Sequence, residues 1–220
     1  MSDATSDPRV CRFVDLATTI CELPPSCGQA RIVAVDGPGG AGKTTFATRL
    51  RAGFAADTDV PVVHTDDFAS WDNQFGWGPL LRARVIEPLR RGEAGRYQRY
   101  DWVRKRFAEW HEVPVADVVV VEGVGAGQRL LADALAMTVW VDTPPDVRLA
   151  RGIARDGEEL RAFWQQWIVG EQAHFAADDT LARADLVVIG NPAVAHDPDR
   201  EYVARKPDLR CCPPASLDDL

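Results

Sequence analysis

Five short runs of β-branched residues, none alternating polar with apolar, set the strongest constraint on how this chain can fold. They lie at 31–36 (RIVAVD), 60–65 (VPVVHT), 116–123 (ADVVVVEG), 137–142 (MTVWVD) and 184–190 (ADLVVIG). A strand with one wet face alternates, whereas a strand apolar throughout is covered on both faces. Between the runs, residues 43–56, 78–93, 127–136 and 145–177 have helical character. Strands alternating with helices predict right-handed crossovers and one α/β domain: a five-stranded parallel sheet with helices on both faces, in three layers.

That domain spans residues 30–190. Residues 1–29 are expected to form an N-terminal helical extension around the amphipathic RVCRFVDLATTIC, and 191–220 a Pro- and Asp-rich C-terminal tail trailing over the surface. With 220 residues, 46% of them hydrophobic, the chain suits one core better than two. The formal net charge of −8 disfavours nucleic-acid and membrane-surface binding. No 18-residue apolar run or basic leader is present, so the expected location is cytoplasmic. Five cysteines (Cys11, Cys21, Cys27, Cys211, Cys212), odd in number and without paired spacing, read as reduced thiols, with a disulfide or metal clip between the two ends as the alternative.

Directly after the first run, GPGGAGKTT opens a predicted helix, and Gly37, Gly42, Lys43 and Thr44 fit G-x-x-x-x-G-K-[ST]. Glycines let successive backbone N–H groups turn inward around phosphate oxygens, and the helix N-terminus adds its positive dipole. The phosphate-binding set is Gly37, Gly39, Gly40, Ala41, Gly42, Lys43, Thr44 and Thr45. Lys43 reaches the β- and γ-phosphates of ATP, and the Thr44 hydroxyl ligates Mg²⁺. Of 25 basic residues only Lys43, Lys105 and Lys206 are lysines, so the match stands out. Neither Asn73 nor Asn191, the chain's two asparagines, sits in an N-K-x-D guanine-reading motif, and no SGGQ signature occurs. A small phosphotransferase of the P-loop nucleoside triphosphate hydrolase fold remains.

Glu122, ending its run, is a second candidate for Mg²⁺, through water. Asp66 and Asp67 follow the second run at the carboxyl edge of the sheet, where ligands of open α/β sheets bind. A hydroxyl acceptor needs a carboxylate to take its proton, so paired aspartates favour an alcohol; alternatively, one of them caps the next turn.

IVAVDGPGGAGKTTF, HTDDF, YDW (100–102), ADVVVVEGV and DVRLARGIARD occur in the order seen in uridine kinase-like P-loop kinases, a group that includes phosphoribulokinase and bacterial pantothenate kinase, and the chain resembles that group over residues 30–190. The resemblance implies that Asp66 is the general base, that Tyr100, Asp101 and Trp102 face the acceptor, and that Arg151 and Arg155 are lid arginines. Arg148, Arg151 and Arg155 can share one helical face. The lid is leaner than the group's pattern, with Gly152 after Arg151 and DGEEL after Arg155. The implied acceptor is a nucleoside; a nucleoside monophosphate, phosphosugar or pantothenate-like alcohol is the alternative, and an ATP-binding regulatory protein without turnover is the reading from another class. A homodimer is the expected assembly.

Trp71, Phe75 and Trp77 either stack on a nucleobase or floor the acceptor helix. FWQQW (163–167) reads as a core-facing helix stripe. Residues 82–106 carry nine basic against three acidic residues, either steering an anionic substrate or forming a solvated face. The four histidines lack metal-ligand spacing; His64 lies nearest the crevice.

Overall fold

A computed structural model describes residues 7–206. Its strands are β1 (Arg9–Arg12), β2 (Arg31–Asp36), β3 (Val62–His64), β4 (Gly95–Asp101), β5 (Arg106–Val113), β6 (Val118–Glu122), β7 (Leu135–Asp142), β8 (Leu186–Ile189) and β9 (Glu201–Lys206). Its helices are α1 (Phe13–Glu22), α2 (Lys43–Ala52), α3 (Gly78–Leu81), α4 (Glu87–Arg90), α5 (Pro145–Asp156), α6 (Arg161–Asp178) and α7 (Thr180–Arg183).

The five strands read from the sequence pair in parallel, in the order β8-β7-β2-β6-β3. Strand β2 shows why these runs do not alternate. Val33 and Val35 enter one core with Leu16 and Ile20 of α1 and Phe46 and Leu50 of α2. Ile32 and Ala34 enter the opposite core with Leu81, Val85, Ile86 and Leu89. Each large side chain so buried contributes roughly 1.5–3 kcal/mol, and the sheet is covered on both faces.

The sheet has seven strands rather than five. β9 joins β8 antiparallel and β1 joins β9, with Arg9 opposite Ala204. Both come from segments expected to lie outside the sheet. Residues 9–12 are strand, with the helix starting only at Phe13, and 201–206 do not trail over the surface: Tyr202 packs its ring against Phe13 and Phe46 at 5.2 and 5.6 Å. In β9, six residues of which Glu201, Arg205 and Lys206 are charged give too weak a strand pattern to outweigh the loop composition of the Pro- and Asp-rich stretch around them.

Three predicted helices are broken. In 78–93, a π-helical turn at Arg82–Ile86 separates α3 from α4; Pro88 has no N–H to give the carbonyl four residues back, and the ladder widens just before it. Gly157, at φ 102, splits 145–177 into α5 and α6. Residues 129–134 form a 3₁₀ turn and β7 begins at Leu135. The antiparallel hairpin β4–β5 occupies residues 95–113, to which the sequence pattern assigns no strand. Cys21 and Cys27 are free thiols, as expected, whereas Cys11 is disulfide-bonded; Cys211 and Cys212 lie outside the described residues. Among those residues no helix is long and apolar enough to cross a membrane.

Candidate active site

β2 delivers the chain to the glycine loop at the carboxyl edge of the sheet. Gly37, Gly40 and Gly42 take φ values of 137°, 75° and 103°. A Cβ on Gly37 would lie 2.5 Å from the Val141 carbonyl oxygen, and one on Gly40 2.6 Å from that of Arg148. Only glycine fits both the angles and the space. Lys43 opens α2 and is 8% exposed, its Nζ donating to the Pro38 carbonyl at 2.9 Å. Burial lowers the pKa of its ammonium, while Glu122, Asp36, Asp66 and Glu171 oppose that shift.

Thr44 Oγ1 donates to Glu122 Oε1 at 3.0 Å, and His64 Nδ1 lies 2.5 Å from the same oxygen. The hydrogen bond to Glu122 raises the His64 pKa. A hydroxyl and a buried carboxylate in contact are hard oxygen donors of the kind Mg²⁺ prefers. Among the described residues, no cluster of three or more His, Cys, Asp or Glu side chains is placed to hold a metal.

Two buried carboxylates outside the expected set organise the loop. Asp36 ends β2 and accepts from the N–H groups of Gly37, Gly125 and Gly127 at 2.6–2.8 Å, joining the loop to the segment after β6. Complete burial pushes its carboxyl up to about 6. Glu171 of α6 accepts from the Gly39 N–H at 2.7 Å and from Arg148 Nη1 at 2.5 Å. Arg148 shares a helical face with Arg151 and Arg155 but does not line the cavity with them: it is buried, donating also to the carbonyls of Thr143 and Gly39. No local pattern marks Glu171, because its partners lie 23 and 132 residues away.

Above the loop opens a cavity of about 590 Å³, whose walls include Gly39, Gly40, Gly42, Lys43, Thr44, Thr45, Asp66, Glu122, Arg151 and Arg155. The 3₁₀ turn Thr65–Asp67 carries Asp66 into it. There the enclosing walls raise the Asp66 pKa, with Lys43 and Arg155 acting against the rise and Glu122 with it. Arg155 pairs with Asp156 at 2.7 Å and lies over the Trp164 ring. Arg151 reaches the Gly190 carbonyl at 3.1 Å. The rest of the lining is largely aromatic: Trp71, Trp102, Phe163, Trp164 and Trp167, with Trp164 and Trp167 against Gly39 of the loop. FWQQW thus lines the cavity with three of its rings as well as packing on the core, where Trp164 is buried. Phe75 and Trp77 do not line it; Trp77 is buried in the core beside Phe68.

Other candidates point elsewhere. Asp67 accepts from the Tyr97 hydroxyl at 2.9 Å and pairs with Arg99 at 3.4 Å, tying the turn to β4. Tyr100 is buried against Trp102 and Phe107. Asp101 accepts from the N–H groups of Val103 and Arg104 and shapes the hairpin turn. Of residues 82–106 only Trp102 lines the cavity, and Arg82, Arg90, Arg91, Arg99 and Arg104 pair with acids of this chain. The basic stretch is largely self-neutralised.

A glycine loop between a central parallel strand and a helix, with the carboxylate of the neighbouring strand on its threonine, defines a P-loop nucleotide-binding site. A model described as the phosphoribulokinase / uridine kinase family matches residues 73–193, and the chain belongs to that family. A uridine kinase of Brevibacillus brevis is 30% identical over 148 residues, 60% of this chain and 69% of that protein. A uridine kinase of Streptococcus pneumoniae is 26% identical over 179 residues, 71% of this chain and 84% of that one. Among solved structures, a possible uridine kinase from Bacillus stearothermophilus shares the fold, with a TM-score of 0.59 at 19% identity over 80% of this chain and 96% of that one.

Proposed function

We propose that the protein transfers the γ-phosphoryl group of ATP to a hydroxyl of a small molecule, and that the acceptor is a nucleoside. The observation that carries this reading is the placement of Asp66, Lys43, Thr44, Glu122, Arg151 and Arg155 around one cavity that aromatic rings also line.

The loop N–H groups and Lys43 hold the phosphates. The acceptor hydroxyl sits against Asp66, which takes its proton as the new O–P bond forms and the bond from the γ-phosphorus to the β–γ bridging oxygen breaks, leaving ADP. Arg151 and Arg155 balance the charge spread over the equatorial oxygens. Thr44 and, through water, Glu122 would hold Mg²⁺, which would supply neutralisation of the phosphate charge. The aromatic wall supports a ring-bearing acceptor, and the uridine kinases among the relatives support a nucleoside.

The test is ADP release with ATP and Mg²⁺ across nucleosides, nucleoside monophosphates, phosphosugars and pantothenate. Nucleoside-dependent release that falls about 10²–10⁴-fold in Asp66→Ala is the expected result. Turnover unchanged by that substitution removes Asp66 as base, and ATP binding without release for any acceptor supports a regulatory protein.

A further inference from the structure

The part of the cavity around Trp71, Trp102 and Phe163 has a property that the kinase chemistry does not require. No Asn, Gln, Ser, His or Tyr side chain is among the described residues lining it. Its polar side chains are those of the phosphate end, together with Asp66 and the Arg155–Asp156 pair. Three of the four indoles lining the cavity have already placed their N–H groups. Trp71 Nε1 donates to the Trp102 carbonyl at 3.3 Å, Trp102 Nε1 to the Asp66 carbonyl at 3.2 Å, and Trp164 Nε1 to Asp156 at 3.0 Å. Trp167 Nε1 faces the loop instead, 3.1 Å from where a Cβ on Gly39 would stand. The Val124 carbonyl accepts from Thr65.

What this part offers a ligand is rings. Trp71 meets Trp102 and Phe163 edge-on, with centroids 5.6 and 5.2 Å apart, so the three present differently oriented surfaces. A flat ring placed among them has faces to stack on and no side-chain amide or free hydroxyl at its rim.

Resting on the nucleoside reading above, we infer that the site selects its acceptor by the faces of the ring and leaves the ring's edge unread. The substrate class is ribosides of a flat ring in general, not one base. The magnitude separates this from edge recognition. A site built around hydrogen bonds rejects an analogue lacking them by about 10⁴–10⁵, whereas a hydrophobic pocket discriminates between similar ligands by only about 10–200-fold.

The experiment compares kcat/KM for uridine, cytidine, adenosine and 1-phenyl-riboside, which share one ribose and one 5′-hydroxyl and differ only in the ring. The expected spread is under about 200-fold, with the phenyl compound inside it. Uridine turned over with the phenyl riboside rejected about 10⁴-fold overturns the inference and leaves the nucleoside kinase intact. No riboside turned over overturns both. Trp71→Leu and Phe163→Leu supply a second readout: KM for every accepted riboside rises together, by roughly 5- to 150-fold, with kcat little changed. A rise confined to one base contradicts selection by faces.

Discussion

The Arg148 guanidinium of α5 and the Glu171 carboxylate of α6 meet at 2.5 Å directly behind the phosphate loop, and each also holds Gly39, one at its carbonyl and the other at its N–H. Helix α5 carries Arg151 and Arg155 one and two turns further along the same face, lining the cavity, so loop and lid share one buried joint.

Removing one partner of that joint strands the other. Glu171→Ala and Arg148→Ala should each lower unfolding free energy by about 3–5 kcal/mol in urea titrations, whereas Arg148→Met/Glu171→Leu should recover most of the loss. The double variant still lacks an acceptor for the Gly39 N–H, so its KM for ATP should stay above wild type while KM for the acceptor does not move. Single variants as stable as wild type would show that the pair is not a joint.

Gly40→Ala places a Cβ 2.6 Å from the Arg148 carbonyl oxygen at a φ of 75°. The loop must shift, storing about 1–3 kcal/mol of strain. A lower melting temperature together with weaker ATP binding by calorimetry is expected. A normal melt and normal affinity would mean that the loop is looser than drawn.

At the Thr44–Glu122 contact, Thr44→Val and Glu122→Gln should each raise the Mg²⁺ concentration for half-maximal activity on the order of 10- to 100-fold. Chelation should abolish wild-type turnover reversibly. A flat Mg²⁺ response in either variant would place the metal elsewhere.

Asp36 makes stability depend on pH with a definite sign. Its carboxyl stands at about 6 when folded, above an ordinary value of 3.8, so the folded state holds its proton more tightly than the unfolded chain. The resulting contribution is fully present below pH 3.8 and is lost as pH rises through about 6. It is on the order of 3 kcal/mol. Measured by urea titration at pH steps from 4 to 7, the stability of wild type relative to Asp36→Asn should fall as pH rises. A constant or rising difference would refute the assignment.

The loop, the five parallel strands and the placement of Asp66 and Glu122 near one crevice were legible because each is written in a few adjacent residues, whereas Arg151 and Arg155 were placed by the family resemblance. Strand pattern, glycine spacing and strand-end position are local signals. Glu171 and the cavity-facing side of FWQQW were not legible, since both depend on where α6 lies against the loop. Asp67 looks the same as Asp66 in sequence, and only the arrival of β4 with Tyr97 and Arg99 turns it away from the cavity.

The pairing of β1 with β9 has a consequence for the growing chain. Arg9 is synthesised well before the strand it pairs with, which contains Ala204. At about 5–20 residues per second that is a wait on the order of ten to forty seconds. Over that interval the nascent protein carries a β-strand with neither edge mated, open to capture by a neighbouring chain. Strand β9 then covers one of those two edges.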